Sequence, residues 1–124
     1  MYISYESTRT FTQTRNIPEL DGIQQCFEEE TGGDIVIELV DDIFQIETNT
    51  FRIQFDLNDS IFDIQAIKTF QEGTGRKVLN AVHKFCDENG YSTIATDVDD
   101  TARGFWDTMG YQEGSTEGEY YRVI

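Results

Sequence analysis

Two glycines separated by one residue, Gly73 and Gly75, lie between a segment typical of a β-strand and a segment typical of a helix. The preceding run, Ile61–Phe70, is rich in apolar side chains. A strand, a glycine turn and a helix in this order place free backbone amides at a helix N-terminus, where an anion is favoured. The helix is indicated by apolar side chains that recur every three or four residues, at Val78, Leu79, Val82, Phe85 and Cys86.

This turn also has a simpler interpretation, in which the glycines serve only the geometry of the chain. Gly-x-Gly is a weak pattern that does not separate the two interpretations. The P-loop pattern is absent, and so is the third glycine of the dinucleotide-binding fingerprint. The choice therefore depends on the segments that follow.

The segments after the helix contain a second motif. Asn89-Gly90 suits a left-handed helix C-cap, and Ser92–Val98 is typical of a short strand. The motif follows this strand and consists of Ala102, Phe105, Gly110 and Tyr111.

Together with Gly73 and Gly75 of the turn, these residues resemble the GNAT-type N-acetyltransferase superfamily. Its signature is Arg/Gln-x-x-Gly-x-Gly/Ala at a strand-to-helix turn. After another strand, the signature continues with Asn-x-x-Ala-x-x-Phe-Tyr-x-x-x-Gly-Phe/Tyr.

The resemblance spans about half of the chain, from Ile61 to Tyr111, and implies a fold. We expect a single domain over residues 1–124 of the α/β (α+β) class. It would have a GNAT-like mixed, mostly antiparallel sheet of about six strands, with helices on both faces. The parallel contact is expected between Ser60–Thr69 and Ser92–Val98. The alternation of apolar and polar side chains in Phe51–Leu57 predicts a half-buried strand of the antiparallel part.

Only one helix is predicted before Asp34, whereas the family usually carries two helices there. Its apolar stripe consists of Leu20, Ile23, Cys26 and Phe27. We therefore expect the acceptor side of the site to be less enclosed, or to be completed by a second subunit in a homodimer.

The charge of the chain limits its partners. With 24 acidic and nine basic residues, its net charge is −15. Such a surface repels nucleic acid and anionic lipid, so neither is expected as a partner. The acidity is interpreted either as general solubility, including adaptation to high salt, or as attraction of a cationic substrate. Because the acids are scattered from Glu6 to Glu119, the first interpretation is favoured.

No metal site is predicted. Cys26 and Cys86 lie 60 positions apart without a Cys-x-x-Cys pattern, and each falls on a predicted apolar helix face, where a buried free thiol is expected. The one histidine, His83, falls beside polar neighbours and is predicted to be a surface residue. The N-terminal residues lack a signal-peptide pattern, and the apolar runs are too short to span a membrane, so the protein is expected to be cytoplasmic.

The resemblance implies that coenzyme A binds at the glycine turn. Amides from Gln71 to Arg76 would wrap its pyrophosphate, and backbone groups of the preceding strand would bind its pantetheine arm. Counted back from the first glycine, the family's Arg/Gln position falls on Phe70, but a loop shorter by one residue would give that role to Gln71, the alignment preferred here. The residues assigned to this site are Ile64, Ala66, Ile67, Lys68, Gln71, Glu72, Gly73, Thr74, Gly75, Arg76, Lys77 and Phe105.

Three residues are candidates for catalysis. Trp106 stands where the family often has a tyrosine that protonates the leaving thiolate, and indole N–H cannot act as an acid. Asp99 either orients the amine or caps the following helix, and capping is the favoured interpretation. Asp63 either accepts a proton from the amine or is an edge carboxylate in solvent, the latter being favoured. In the predicted strand, Asp63 would share a face with Gln65 and Ile67, and the other face would carry Phe62, Ile64, Ala66 and Lys68.

The function implied by the resemblance is acyl transfer from acetyl-coenzyme A to a primary amine of a small molecule or peptide. The alternative is a non-catalytic protein, either an acyl-coenzyme-A-binding module or an acidic protein-interaction domain. The sequence does not identify the acceptor.

Overall fold

The computed structural model describes residues 2–4 and 18–123 of the chain. Its helices are α1 (Glu19–Thr31), α2 (Thr74–Asn89) and α3 (Arg103–Thr108), and a 3₁₀ turn, Asp100–Ala102, precedes α3. Its strands are β1 (Tyr2–Ser4), β2 (Ile37–Val40), β3 (Ile43–Glu47), β4 (Phe51–Asn58), β5 (Ile61–Thr69), β6 (Ser92–Ala95), β7 (Tyr111–Glu113) and β8 (Tyr120–Arg122).

Within the described residues, the strands form one eight-stranded sheet in the order β1-β2-β3-β4-β5-β6-β8-β7. Every neighbouring pair is antiparallel except β5 and β6, which run parallel from Ile61 opposite Ser92 to Ile64 opposite Ala95. The predicted mixed, mostly antiparallel sheet and its parallel pair are confirmed. The sheet exceeds the expected six strands because the short strands β1 and β7 form its two edges.

The three described helices cover one face of this sheet. Phe27 of α1 stacks on Phe51 of β4 with 6.0 Å between ring centroids. Phe85 of α2 lies 6.3 Å from Phe62 of β5, and α3 packs beside the first turn of α2. Helices were expected on both faces, and those of the described residues lie on one. The face opposite these helices carries mainly polar side chains on β3, β4 and β5.

Helix α1 is the predicted first helix, and it begins directly after Pro18. Its predicted apolar stripe is buried, and both cysteines of the chain are buried free thiols, as expected. The prediction of a single helix before Asp34 falls partly on residues 5–17, outside the described residues. None of the helices in the described part combines the length and apolar character that crossing a bilayer requires.

A β-bulge interrupts the pairing of β4 with β5. The register shifts between Gln54 and Phe55, so that Gln65 has no residue opposite it. A bulge inserts one extra residue into one strand and reverses the faces of the side chains beyond it. The predicted face shared by Asp63, Gln65 and Ile67 is therefore interrupted within β5.

Beyond the bulge, the side chains of β5 change faces. Ile67 lies on the helical face with Ile64, because each is opposite a buried residue of β4. Ala66 and Lys68 join Asp63 on the polar face. The predicted grouping of Ala66 and Lys68 with Ile64 was wrong, since a strict two-residue alternation does not anticipate an inserted residue.

The prediction that His83 is a surface residue is also wrong. Its exposure is 9%, and its Nε2 atom shares a hydrogen bond of 2.8 Å with the hydroxyl of Tyr111 in β7. Burial, assisted by the nearby Arg122 guanidinium, lowers the pKa of His83 to about 4, although Asp87 opposes the shift. Folding brings Tyr111 of β7 against His83 of α2, and the local sequence does not indicate this contact.

This burial predicts an acid-sensitive contribution to stability. Because the pKa of His83 is lower in the folded state (about 4) than its ordinary value of 6.5, the unfolded chain binds a proton more readily between these values. The free energy of unfolding should therefore fall as the pH is lowered from 6.5 to about 4. Urea titrations of the wild type and His83→Gln, which keeps a partner for Tyr111 but does not titrate, should diverge in this range. Parallel pH profiles for the two proteins would contradict the assignment.

Candidate functional site

Strands β5 and β6 are paired only along the first half of β5 and separate beyond it. The amide of Thr96 donates a 2.9 Å hydrogen bond to the carbonyl of Ile64, and the ladder ends there. The next residue, Asp97, has a φ of +55°, and the amide of Val98 bonds instead to the carbonyl of Gly118. The predicted strand Ser92–Val98 is thus shorter than expected, because the chain turns away from β5 after Ala95.

The parted strands enclose a cleft with a volume of about 230 Å³. One wall is β5 beyond the last ladder bond, and the other is the segment that follows β6. The side of β5 that faces the cleft has no neighbouring strand there, so its backbone groups are available to a ligand. The cleft is lined by Ile64, Gln65, Ala66, Ile67, Ala95, Thr96, Asp97, Val98, Asp99, Ala102 and Trp106.

A second cavity of about 160 Å³ extends the cleft toward the first turn of α2. It shares Ile67, Ala102 and Trp106 with the first cavity. Its remaining lining residues are Thr69, Gly75 and Phe105. The two cavities are therefore adjacent, and together they extend from the point where the strands part to the first turn of α2; we call this pair of cavities the path.

The N-terminus of α2 has no side-chain cap. Gly73 occupies the N-cap position with a φ of +85°, a conformation that other residues adopt only with strain. Gly75 permits close packing instead, since a Cβ there would lie 3.1 Å from the ring of Phe105. The first-turn amides of a helix have no intrahelical acceptors. The amide of Thr74 donates a 3.3 Å hydrogen bond to the carbonyl of Gln71, so the amides of Gly75 and Arg76 and the positive end of the helix dipole remain for a ligand.

The first turn of α2 carries basic side chains and no acid, which is unusual in this acidic chain. In α1 the first turn carries Glu19 and Asp21, whereas the first turn of α2 carries no acid. It carries Arg76 and Lys77, both exposed, where the helix dipole disfavours a cation. Four other basic side chains in the described part form ion pairs, namely Arg52 with Glu47, Lys84 with Glu29, Arg103 with Glu113 and Arg122 with Asp87.

The basic side chains that form no ion pair within the described residues are Lys68 at the end of β5, and Arg76 and Lys77 at the start of α2. Lys68 belongs to the polar face of the sheet, opposite α2, and lies 5.8 Å from the ring centroid of Phe70. Arg76 and Lys77 are neighbours in the first turn of α2. In a chain with 24 acids and nine bases, these two cations without carboxylate partners among the described residues leave a local site suited to an anion.

Asp63 lies beside the other end of the cleft. Its carboxylate accepts hydrogen bonds from the hydroxyl of Thr96 at 3.4 Å and from Nε2 of Gln65 at 3.5 Å. Burial raises the pKa of Asp63 above its ordinary value, although these two hydrogen bonds act in the opposite direction. The interpretation of Asp63 as an edge carboxylate is wrong, because β5 pairs with a strand on each side at this point.

Asp99 lines the cleft, but its carboxylate is engaged. It accepts a 3.0 Å hydrogen bond from the amide of Thr101, and this bond and one from the Thr101 side chain lower the pKa of Asp99. Asp99 thus caps the 3₁₀ turn that precedes α3, whereas Ala102, the N-cap of α3 itself, makes no side-chain hydrogen bond. A carboxylate with a lowered pKa is a weak base, so a catalytic role for Asp99 stays a prediction with little in the geometry to support it.

The predicted residues Gln71, Glu72 and Thr74 line neither cavity. Gln71 and Glu72 are exposed in the loop before α2, and Thr74 is buried within its first turn. Sequence reasoning missed several lining residues, which are Gln65, Thr69, Ala95, Thr96, Asp97, Val98 and Ala102. Ala102 had been matched only as a motif position, and nothing in the local sequence marks Thr96 as the residue where the strands part.

Comparison with solved structures identifies a protein of the same architecture. It is a crystal structure from Lactobacillus plantarum that carries a provisional assignment as an N-acetyltransferase. The similarity covers 98% of this chain and 96% of that chain, with a TM-score of 0.51 and 15% sequence identity. No family model and no curated protein matches the sequence. At this identity the likeness shows the fold, so the chain has the GNAT-like fold that its motifs predicted.

The contacts of Asp63 predict how its pKa responds to mutation. Thr96→Val removes a hydroxyl donor at nearly constant volume, so the carboxylate loses a stabilising hydrogen bond and its pKa should rise further. Carboxyl-carbon NMR titration measures this directly. Thr93→Val is the matched control, because Thr93 bonds to Cys86 on the opposite face of the sheet. A pKa that stays constant or falls in Thr96→Val would show that the hydroxyl does not hold this carboxylate.

Proposed function

We propose that this chain is an N-acyltransferase that uses acetyl-coenzyme A as the donor and a primary amine as the acceptor. The observation that carries the proposal is the cleft between β5 and β6, which leads to an uncapped helix N-terminus. Arg76 and Lys77, which pair with no carboxylate among the described residues, lie in the first turn at that N-terminus. The GNAT-like fold is consistent with the same function.

Coenzyme A fits the chemistry of this path. Its pyrophosphate is an anion, and the first turn of α2 offers free amides, a dipole and the side chains of Arg76 and Lys77. Its pantetheine arm is long, narrow and rich in amides, which suits an open strand edge. Beyond the last ladder bond at Ile64, β5 provides that edge on the side facing the cleft.

The reaction begins when the amine nitrogen attacks the thioester carbonyl carbon. The carbon–sulfur bond then breaks, and the thiolate leaves with the bonding electron pair. The amine must lose one proton to reach the attacking form and another to become an amide, because primary amines are mostly protonated near neutral pH. Asp63 would receive the proton released during attack, directly or through water. Its raised pKa makes it a better base than an ordinary surface carboxylate.

The acceptor is expected to be a small amine or a peptide amine. The charge of −15 favours a cationic acceptor over an anionic one, and nucleic acid is not expected as a partner. A homodimer that completes the acceptor side and a cytoplasmic location remain part of the proposal. Two other functions remain as alternatives: a coenzyme-A-binding module without catalysis, and an acidic protein-interaction domain.

The charges at the N-terminus of α2 provide the first test. Arg76→Gln/Lys77→Gln should weaken coenzyme A binding about tenfold or more, since hydrogen bonds to charged groups contribute about 1.5–3 kcal/mol. The free protein should be no less stable, because the helix dipole disfavours both cations. Isothermal titration calorimetry and thermal unfolding measure the two effects. Lys84→Gln, in the same helix but paired with Glu29, is the control and should leave affinity unchanged.

Thiol release completes the test. Wild-type protein that binds coenzyme A and releases thiol from acetyl-coenzyme A in the presence of an amine panel supports the enzyme. Binding without thiol release would favour the non-catalytic module. If no binding heat is detected at millimolar coenzyme A, the acyltransferase proposal fails, and the acidic protein-interaction domain is the function that remains.

A further inference from the structure

The indole of Trp106 is a buried donor without an acceptor. Its exposure is 3%, and its contacts in the described part of the chain are ring contacts, with Phe105 at 5.6 Å and Tyr111 at 4.7 Å. Its N–H donates no hydrogen bond to any described residue. Buried polar groups are nearly always paired, so an unpaired one requires an explanation.

The position of this side chain suggests the missing acceptor. Trp106 lines both cavities and lies where they meet, together with Ile67 and Ala102. On one side the path leads to the cationic N-terminus of α2, and on the other to the strand end beside Asp63. If the phosphates bind at the first end and the amine reacts at the second, the thioester lies between them, beside Trp106.

We propose that the indole N–H of Trp106 donates a hydrogen bond to the sulfur of the donor thioester and holds the leaving group as a thiolate. This inference rests on the proposed function. A neutral donor that cannot ionise gives no proton to the sulfur. It stabilises the negative charge that develops there, which is the electrostatic form of leaving-group assistance.

The bond changes in this step balance without an acid. The amine nitrogen forms a bond to the carbonyl carbon, and the carbon–sulfur bond breaks with its electron pair on sulfur. The amine proton passes to Asp63 or water, and the thiolate takes a proton from solvent after it leaves. A free thiol has a pKa of roughly 8.5, so a hydrogen bond that favours the anion by tenfold would lower the pKa of the bound thiol by about one unit.

The first experiment changes the ligand and leaves the protein intact. Binding of coenzyme A and of desulfo-coenzyme A, in which hydrogen replaces the thiol, is measured by calorimetry from pH 7 to pH 9.5. As the pH rises and the bound thiol ionises, the ratio of the affinity for coenzyme A to the affinity for the desulfo compound should increase about tenfold. The comparison cancels protein groups that act equally on both ligands, among them the buried Cys86, whose pKa is raised to about 11.

The second experiment changes the donor. Trp106→Phe keeps a buried aromatic ring but removes the N–H, so the affinity gap between the two ligands should disappear and the pKa of the bound thiol should return toward its free value. Trp106→Tyr restores a donor at the same site and should recover part of the gap. Thermal unfolding shows that each variant folds, and the wild-type comparison stands even if a variant does not fold.

The outcomes separate this inference from the proposed function. If the wild type binds neither ligand, the proposed function fails first. If it binds both with a gap that does not grow with pH, or if Trp106→Phe keeps the gap, the thiolate assignment is overturned while the acyltransferase proposal stands. If Trp106→Phe weakens acetyl-coenzyme A but not coenzyme A, the N–H acts on the carbonyl oxygen, which also overturns the assignment to sulfur.

Discussion

The hydrogen bond from the Thr96 amide to the Ile64 carbonyl is the point on which the site depends, because it is the last bond that joins β5 to β6. Before it, the two strands form an ordinary parallel pair buried beneath α2. Beyond it, β5 continues to Thr69 without its neighbour, while the other chain turns away at Asp97. The sheet therefore contains an opening with backbone groups along one wall, which a continuous sheet cannot provide.

The bulge at Gln65 gives this opening two different sides. It returns Ile67 to the helical face, where Ile67 lines both cavities with Trp106, and it keeps Ala66 on the polar face. The helical side is thus apolar and closed by α3, whereas the polar side holds the carboxylate of Asp63. A narrow ligand in the opening would meet apolar packing on one side and a proton acceptor on the other.

The electrostatic environment at the first turn of α2 differs from that of the chain as a whole. The chain as a whole is strongly acidic, and its long-range field repels an anionic ligand. At the first turn of α2, the amides favour an anion locally, as do Arg76 and Lys77, which pair with no carboxylate among the described residues. This local attraction is short in range, since screening limits exposed charges to about 10 Å at 0.1 M salt. Selection of an anion would therefore depend on contact with this turn and not on attraction from a distance.

The sequence by itself determined the elements that local patterns encode. The amphipathic stripe from Val78 to Cys86 predicted α2, the alternation in Phe51–Leu57 predicted β4, and the glycine spacing predicted the turn between β5 and α2. These elements follow from side chains a few positions apart, which propensity and periodicity report directly. The parallel pair and the mixed sheet were instead expectations that the resemblance to the GNAT-type superfamily implied.

The tertiary structure alone decided what depends on residues that are distant in the chain. The bulge in β5 requires a register that only β4 fixes, and the burial of His83 requires β7 to lie across α2. Long-range packing also ends β6 at Ala95 and buries the indole of Trp106, whose N–H has no acceptor among the described residues. A local sequence pattern indicates which secondary structure a residue prefers. Its hydrogen-bond partners and its burial depend on residues that are distant in the chain and that folding brings next to it.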